Sequence, residues 1–171
     1  MDASSGTSTS PSPEPDPNPD SVLIVAADHP SLIDARRRFA TELRAEQRFF
    51  GRSAGTPKPF PSLIATLLSG DGTRLAAMVD GRIIGLACIQ ADGEASVAVV
   101  EQWRGRGVAS ALLGAAIERA RLAGHSMVFL RSSRRSRAVA AIGESLGGTV
   151  VDLGRGRIEL IFTVHADART G

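Results

Sequence analysis

The chain is nearly devoid of several residue types that usually carry chemistry. Of its 171 residues one is cysteine, Cys88, which excludes an intrachain disulfide framework and any cysteine-rich metal site. Cys88 lies in the apolar run Leu86-Ala87-Cys88-Ile89 with nothing basic beside it to stabilise a thiolate, so it reads as core. His29, His125 and His165 share no metal-ligand spacing, and no metal site is expected. No apolar run approaches the roughly 18 residues of a membrane span. The first residues lack the basic-then-apolar layout of a signal peptide. These absences make a soluble cytoplasmic protein without a membrane partner the expectation. Tyrosine is missing altogether, and lysine occurs once, as Lys58, against 19 arginines. The net formal charge of +2 is too small to make nucleic acid the default partner. The basic cluster Arg134, Arg135 and Arg137 is only a weak signal in that direction.

What is present suits one domain with a substantial core: 43% of residues are hydrophobic. Residues 1–20 are built from Ser, Thr, Pro, Asp and Asn and cannot bury enough apolar surface to offset their ordering entropy, so they read as a disordered tail. Residues 21–165 form the expected domain, and 166–171 a C-terminal tail.

Along the domain, Val22–Ala26 reads as a strand. Asp28 or Ser31 then caps a helix from about Leu32 to Phe49, with Leu32, Ala35, Phe39 and Leu43 at helical spacing and Arg36, Arg37, Arg38, Arg44 and Arg48 on the other face. A Gly- and Pro-rich loop leads to a short helix, Ser62–Leu68. The strands Thr73–Val79 and Arg82–Gln90 meet at Asp80-Gly81, a hairpin signal because both residues tolerate positive φ. After the turn Ala91-Asp92-Gly93 comes the strand Glu94–Val100. The next helix runs from Val108 to Leu122, is apolar around most of its circumference, and is followed by a buried strand, Met127–Leu130. Strand, helix, strand in that order predicts a crossover that leaves the two strands parallel. Ser132–Arg137 is expected as a basic loop, Ser136–Leu146 as a helix, and Thr149–Leu153 with Arg157–Val164 as a final hairpin across Gly154-Arg155-Gly156. The fold class is therefore α/β: a mixed, mostly antiparallel central sheet with one parallel strand pair, flanked by helices.

The most informative stretch is Val97–Arg121, where an apolar strand runs through Arg104-Gly105-Arg106-Gly107 straight into a helix. The first turn of a helix presents unpaired N–H groups and the positive end of its dipole. Ser, Thr, Asp or Asn normally consumes those donors as a cap. Gly107 at the cap position leaves them for a phosphate. The second Gly-Arg-Gly, at residues 154–156, lies between two strands and reads as a turn, so the tripeptide alone says little. The rival reading of this stretch is a dinucleotide-binding domain, against which Ser110 stands where that fingerprint requires its third glycine.

With its order of elements over residues 22–164 and the hexapeptide Arg104-Gly105-Arg106-Gly107-Val108-Ala109, the chain resembles the GNAT superfamily of acyl-CoA-dependent N-acyltransferases. Gln47-Arg48-Phe49-Phe50 and Glu94, thirteen residues before Gly107, bring it nearest to the bacterial Pat-type protein lysine acetyltransferase domains. The resemblance implies acetyl-CoA as acyl-donor co-substrate. Its pyrophosphate would lie on the backbone of Gly105, Gly107, Val108 and Ala109, with charge from Arg104 and Arg106, and its pantetheine arm along Ala98, Val99 and Val100. Ser136 takes the place of a family asparagine, and Gly143 that of the tyrosine used by many members as an acid toward the thiolate; Pat-type domains also lack that tyrosine. The residues before Val22 are too few for a cyclic-nucleotide regulatory domain, so control of that kind is not expected. Glu94 is the implied catalytic base, with Glu101 the alternative, and a backbone N–H at Val99–Val100 is the implied polariser of the thioester carbonyl. The acceptor is then a primary amine, a protein lysine first and a small amine second. The rival function is a catalytically weak or silent acyl-CoA-binding regulator.

Overall fold

The structure is a computed structural model that describes residues 21–50, 60–69, 71–134 and 136–164. The expected tails at 1–20 and 166–171, and most of the Gly- and Pro-rich loop after the first helix, lie outside the described residues.

The chain forms β1 (Leu23–Ala26), α1 (Ile33–Phe50), α2 (Phe60–Ser69), β2 (Thr73–Val79), β3 (Arg82–Ile89), β4 (Ala95–Val99), α3 (Val108–Leu122), β5 (Met127–Ser133), α4 (Arg137–Leu146), β6 (Thr149–Gly154) and β7 (Arg157–Thr163). Short 3-10 turns at Pro30–Leu32 and Glu101–Trp103 precede α1 and α3. Where Asp28 or Ser31 was expected to cap the first helix, a 3-10 turn precedes it, starting at Pro30 and capped by His29, whose side chain accepts from the Ser31 N–H. The predicted hairpin turn is in place: Asp80 and Gly81 have φ of 47° and 75°.

The strands make two antiparallel sheets, β1-β2-β3-β4 and β5-β7-β6. The single central sheet expected from the sequence is thus divided, and the expected parallel pair of β4 with β5 shrinks to one bridge, between Glu94 and Phe129. At that vertex the Phe129 N–H donates to the Gly93 carbonyl at 3.0 Å. Beyond it the two strands share no ladder. Gly93 is required at this point: its φ is +88°, and a Cβ there would lie 2.7 Å from the Met127 carbonyl oxygen.

β5 is longer than its apolar run suggests. Ser132 and Ser133, expected in a basic loop, continue the strand because they pair with Ile158 and Arg157 of β7. That pairing joins segments some 25 residues apart and leaves no trace in the local hydrophobic pattern.

Seven of the eight residues of β3 are buried, so both faces of the first sheet are covered there. Helices α1, α2 and α3 all pack on this sheet, while α4 packs on β7 and against α3. Phe39 of α1, Ile64 and Leu67 of α2, and Leu112 and Leu113 of α3 are among the largest fully buried side chains. The expected apolar stripe of α1 is buried at Ala35, Phe39 and Leu43. No helix among the described residues is long and apolar enough to cross a membrane.

Because Leu112 is fully enclosed where α3 meets the first sheet, Leu112→Ala should lower the unfolding free energy by about 2–5 kcal/mol through lost burial and the cavity left behind. Urea denaturation followed by circular dichroism measures this.

Candidate acyl-CoA site

Divergence of β4 from β5 opens a cavity of about 440 Å³ between the two sheets. Its walls come from β4 (Ala95–Val99), β5 (Leu130–Ser132), the start of α3 (Val108–Ser110) and α4 (Ala138, Val139, Ala141, Ile142). Leu43 of α1 and Leu63 of α2 also reach it. Glu94 lies at one end of β4 and the Arg104–Gly107 loop follows the other. The five residues of the strand set about 17 Å of extended chain between them.

The loop end is built as the sequence suggests. Gly107 is the N-cap of α3, with φ 80° and ψ −4°, and no side chain caps the helix. A Cβ at Gly107 would meet nothing within 4 Å, so the space before the helix is open. Uncapped amide donors and the helix dipole at this point favour an anion.

Along β4 the hydrogen-bond pattern decides which backbone groups are available. The Gln90 N–H donates to the Glu94 carbonyl at 3.0 Å, and the Val100 N–H donates to the Ile84 carbonyl at 2.9 Å. Antiparallel ladders alternate, so the main-chain groups of Glu94, Ser96, Ala98 and Val100 turn toward β3, and those of Ala95, Val97 and Val99 turn toward the opening. Consistent with this, the Val99 carbonyl accepts from Arg104 Nε at 2.9 Å. Val100 is therefore set apart from the other expected residues: it is buried, its N–H is committed to β3, and it does not line the cavity. Val97 has the outward-facing backbone that was expected of Ala98 and Val100.

At the other end Glu94 is only 8% exposed yet lines the cavity. Its N–H donates to Asp92 Oδ1 at 2.9 Å, which closes the turn into β4. Gln90 Nε2 donates to Glu94 Oε2 at 3.4 Å, and Arg131 lies 3.8 Å from Oε1. Arg131 in turn donates from Nε to Glu159 Oε2 at 3.0 Å and sits over the Phe129 ring at 4.7 Å. An enclosed carboxylate needs such compensation, since its desolvation is costly unless paired and hydrogen-bonded.

Of the other expected residues, Ala98, Val99, Arg104, Gly105, Gly107, Val108, Ala109 and Ser136 line the same cavity. Ser136 also caps α4, its Oγ accepting from the Val139 N–H at 3.4 Å. Arg106 is exposed; its Nε donates to the Gln102 carbonyl and its guanidinium lies 5.8 Å from the centre of the Trp103 ring. Trp103 itself is buried beneath the loop. Glu101 is exposed. Gly143 does not line the cavity, and a Cβ there would lie 3.1 Å from Leu160 Cδ1, so α4 presents apolar side chains and no acid to the space. Sequence reasoning missed Arg131, Ser132 and Glu46. Arg131 and Ser132 belong to the part of β5 that only the pairing with β7 reveals, and Glu46 is an acidic residue at the end of the apolar stripe of α1, three positions after Leu43 and seven after Phe39, a break in the pattern that was the available signal.

An acetyltransferase (GNAT) family model matches residues 38–147. The chain belongs to the GNAT acetyltransferase family. No curated protein matches it. Among solved structures, the yncA protein of Salmonella typhimurium, determined with its cofactor acetyl-CoA, is similar with a TM-score of 0.61 and 19% identity, over 86% of this chain and 96% of that one. A GNAT-family acetyltransferase from Streptococcus pneumoniae has a TM-score of 0.62 and 19% identity, over 84% and 99% of the two chains. A phosphinothricin acetyltransferase from Sinorhizobium meliloti, in complex with acetyl-CoA, has a TM-score of 0.63 and 16% identity, over 88% and 92%. At these identities the structural likeness speaks to the fold, and the family model to membership.

Acetyl-CoA is the co-substrate of the GNAT family, and the residues present here fit it: an uncapped helix start for phosphates, outward amides on β4 for an extended polar arm, and apolar walls. The left-handed backbone at Gly107 makes its own prediction. Gly107→Ala should cost about 1–2 kcal/mol of stability, because an L-residue is strained at positive φ. A shifted urea midpoint at unchanged slope is the expected readout.

Proposed function

We propose that this protein transfers the acetyl group of acetyl-CoA to a primary amine by direct attack, with a protein lysine the leading acceptor, a small amine second, and Glu94 the base. The observation that carries the proposal is the position of Glu94: an enclosed carboxylate in the same cavity as the uncapped loop, one strand length away.

Bound acetyl-CoA supplies an activated thioester. The amine must arrive deprotonated, and a lysine ammonium, with an ordinary pKa of about 10.4, needs a group to receive its proton. Glu94 attracts the ammonium and receives the proton, directly or through one water. Arg131 and Gln90 hold the carboxylate in place at the end of the cavity, and Arg131 is itself shared with Glu159. The outward N–H groups of Val97 and Val99 orient and polarise the carbonyl, in place of the Val100 N–H. Gly105, Gly107, Val108 and Ala109 hold the pyrophosphate with main-chain donors. No side-chain acid on α4 lines the space for the departing sulfur, and none is essential, because a thiol is acidic enough to leave as its thiolate and take up a proton afterwards. The Pat-type resemblance at Gln47–Phe50 and Glu94 supports the lysine acceptor, since that group works without the tyrosine this chain lacks.

The bare α4 wall also favours a second reading, an acyl-CoA-binding regulator with little or no turnover. Two experiments separate these. In thermal-shift titrations, acetyl-CoA should raise the melting temperature and NADPH should not; no response to acetyl-CoA would end both readings. Glu94→Gln should keep acetyl-CoA affinity within about twofold and slow acetyl transfer by 10²–10⁴-fold, the usual contribution of a positioned base. Unchanged turnover removes Glu94 from the mechanism, and binding without any turnover in the unaltered protein leaves the regulator.

A further inference from the structure

We propose that Glu46, near the end of α1, is a positioning residue that holds the phosphate loop in its binding shape. The proposal rests on the acyl-CoA reading of the site. It goes further in assigning a role to a residue on another element, 58 positions before Arg104, where the loop begins.

Both carboxylate oxygens of Glu46 are used. Oε1 accepts from the Glu101 N–H at 2.7 Å, and Oε2 accepts from Arg104 Nη2 at 2.7 Å. Arg104 extends the clamp by donating from Nε to the Val99 carbonyl at 2.9 Å. One side chain thereby ties together the end of β4, the start of the 3-10 turn and the arginine that opens the glycine segment. The Glu46 side chain is 15% exposed, so these charge-assisted hydrogen bonds are shielded from water on most sides.

The loop needs such a restraint. Gly105 and Gly107 both sit at positive φ, and no side chain caps α3, so the glycine segment supplies little rigidity of its own. A carboxylate beside a phosphate site is electrostatically unfavourable, since it offsets the Arg104 charge that would attract the ligand. What Glu46 contributes must then be geometric: it fixes the loop before the ligand arrives, which lowers the ordering cost of binding.

Coenzyme A is the probe, titrated calorimetrically into the unaltered protein, Glu46→Ala, Arg104→Ala and the double variant. Glu46→Ala should weaken binding about tenfold, as loss of a preorganising contact does, with Glu46→Gln intermediate because it keeps the volume and one acceptor oxygen. The double variant should lose less than the sum of the single losses, since both residues belong to one clamp. Amide hydrogen exchange on the ligand-free proteins is the second measurement: Glu101–Gly107 should exchange faster in Glu46→Ala while the strands of the first sheet stay unchanged. Unaltered or tighter coenzyme A binding in Glu46→Ala overturns the proposal, because charge repulsion would then outweigh positioning. Faster exchange spread evenly over the sheet overturns it too, because Glu46 would be a general stabiliser. Should the unaltered protein not bind coenzyme A, the acyl-CoA reading falls, and the exchange measurement still decides whether Glu46 holds the loop.

Discussion

One parallel bridge, between Glu94 and Phe129, sets the geometry on which the site depends. It joins the two sheets at a single point and lets them part immediately afterwards. A full parallel ladder would have used the outward amides of Ala95, Val97 and Val99 on β5 and closed the space between the sheets. No ladder at all would have left Glu94 without the wall of β5 that carries Arg131. Gly93 makes the vertex possible, because its backbone approaches Met127 too closely for any side chain.

From that vertex the cavity has two chemically different ends. The Glu94 end is a compact charge cluster in which Arg131 is shared between two carboxylates and stacked on Phe129. The loop end offers main-chain donors at a helix start that no side chain blocks. Apolar walls from α3 and α4 connect them, and the enclosure strengthens each electrostatic contact relative to water. Under the proposed function, the donor is held at one end and the acceptor activated at the other, about one strand length apart.

α1 contributes to both the core and the site. Ala35, Phe39 and Leu43 bury one stripe of it against the first sheet, and Glu46, next on that stripe three residues after Leu43, meets the loop. Glu42 pairs with Arg82 across the surface at 3.3 Å, an exposed contact of the kind that contributes little. Glu46 has the same residue type on the same helix, but with its side chain largely enclosed and both oxygens occupied, it connects elements rather than decorating one.

What could be read from residues alone was whatever local chemistry determines. The α3 limits, the glycine at its cap, the Asp80-Gly81 turn and the apolar stripe of α1 follow from neighbours within a few positions, where backbone sterics and periodicity act directly. Glu94 entered through its resemblance to a family pattern rather than through any local signal. The splay of β4 from β5, the extension of β5 through Ser133, the inward turn of Val100 and the reach of Glu46 to Glu101 were decided by the tertiary structure. Each depends on pairing or contact between distant segments, and strand alternation assigns a backbone group to the cavity or to the sheet only once its partner strand is known. Local residue pattern was enough to mark the start of α3 as a place for an anion; the separation of the two sheets, a long-range outcome, created the cavity beside it and set which residues face it.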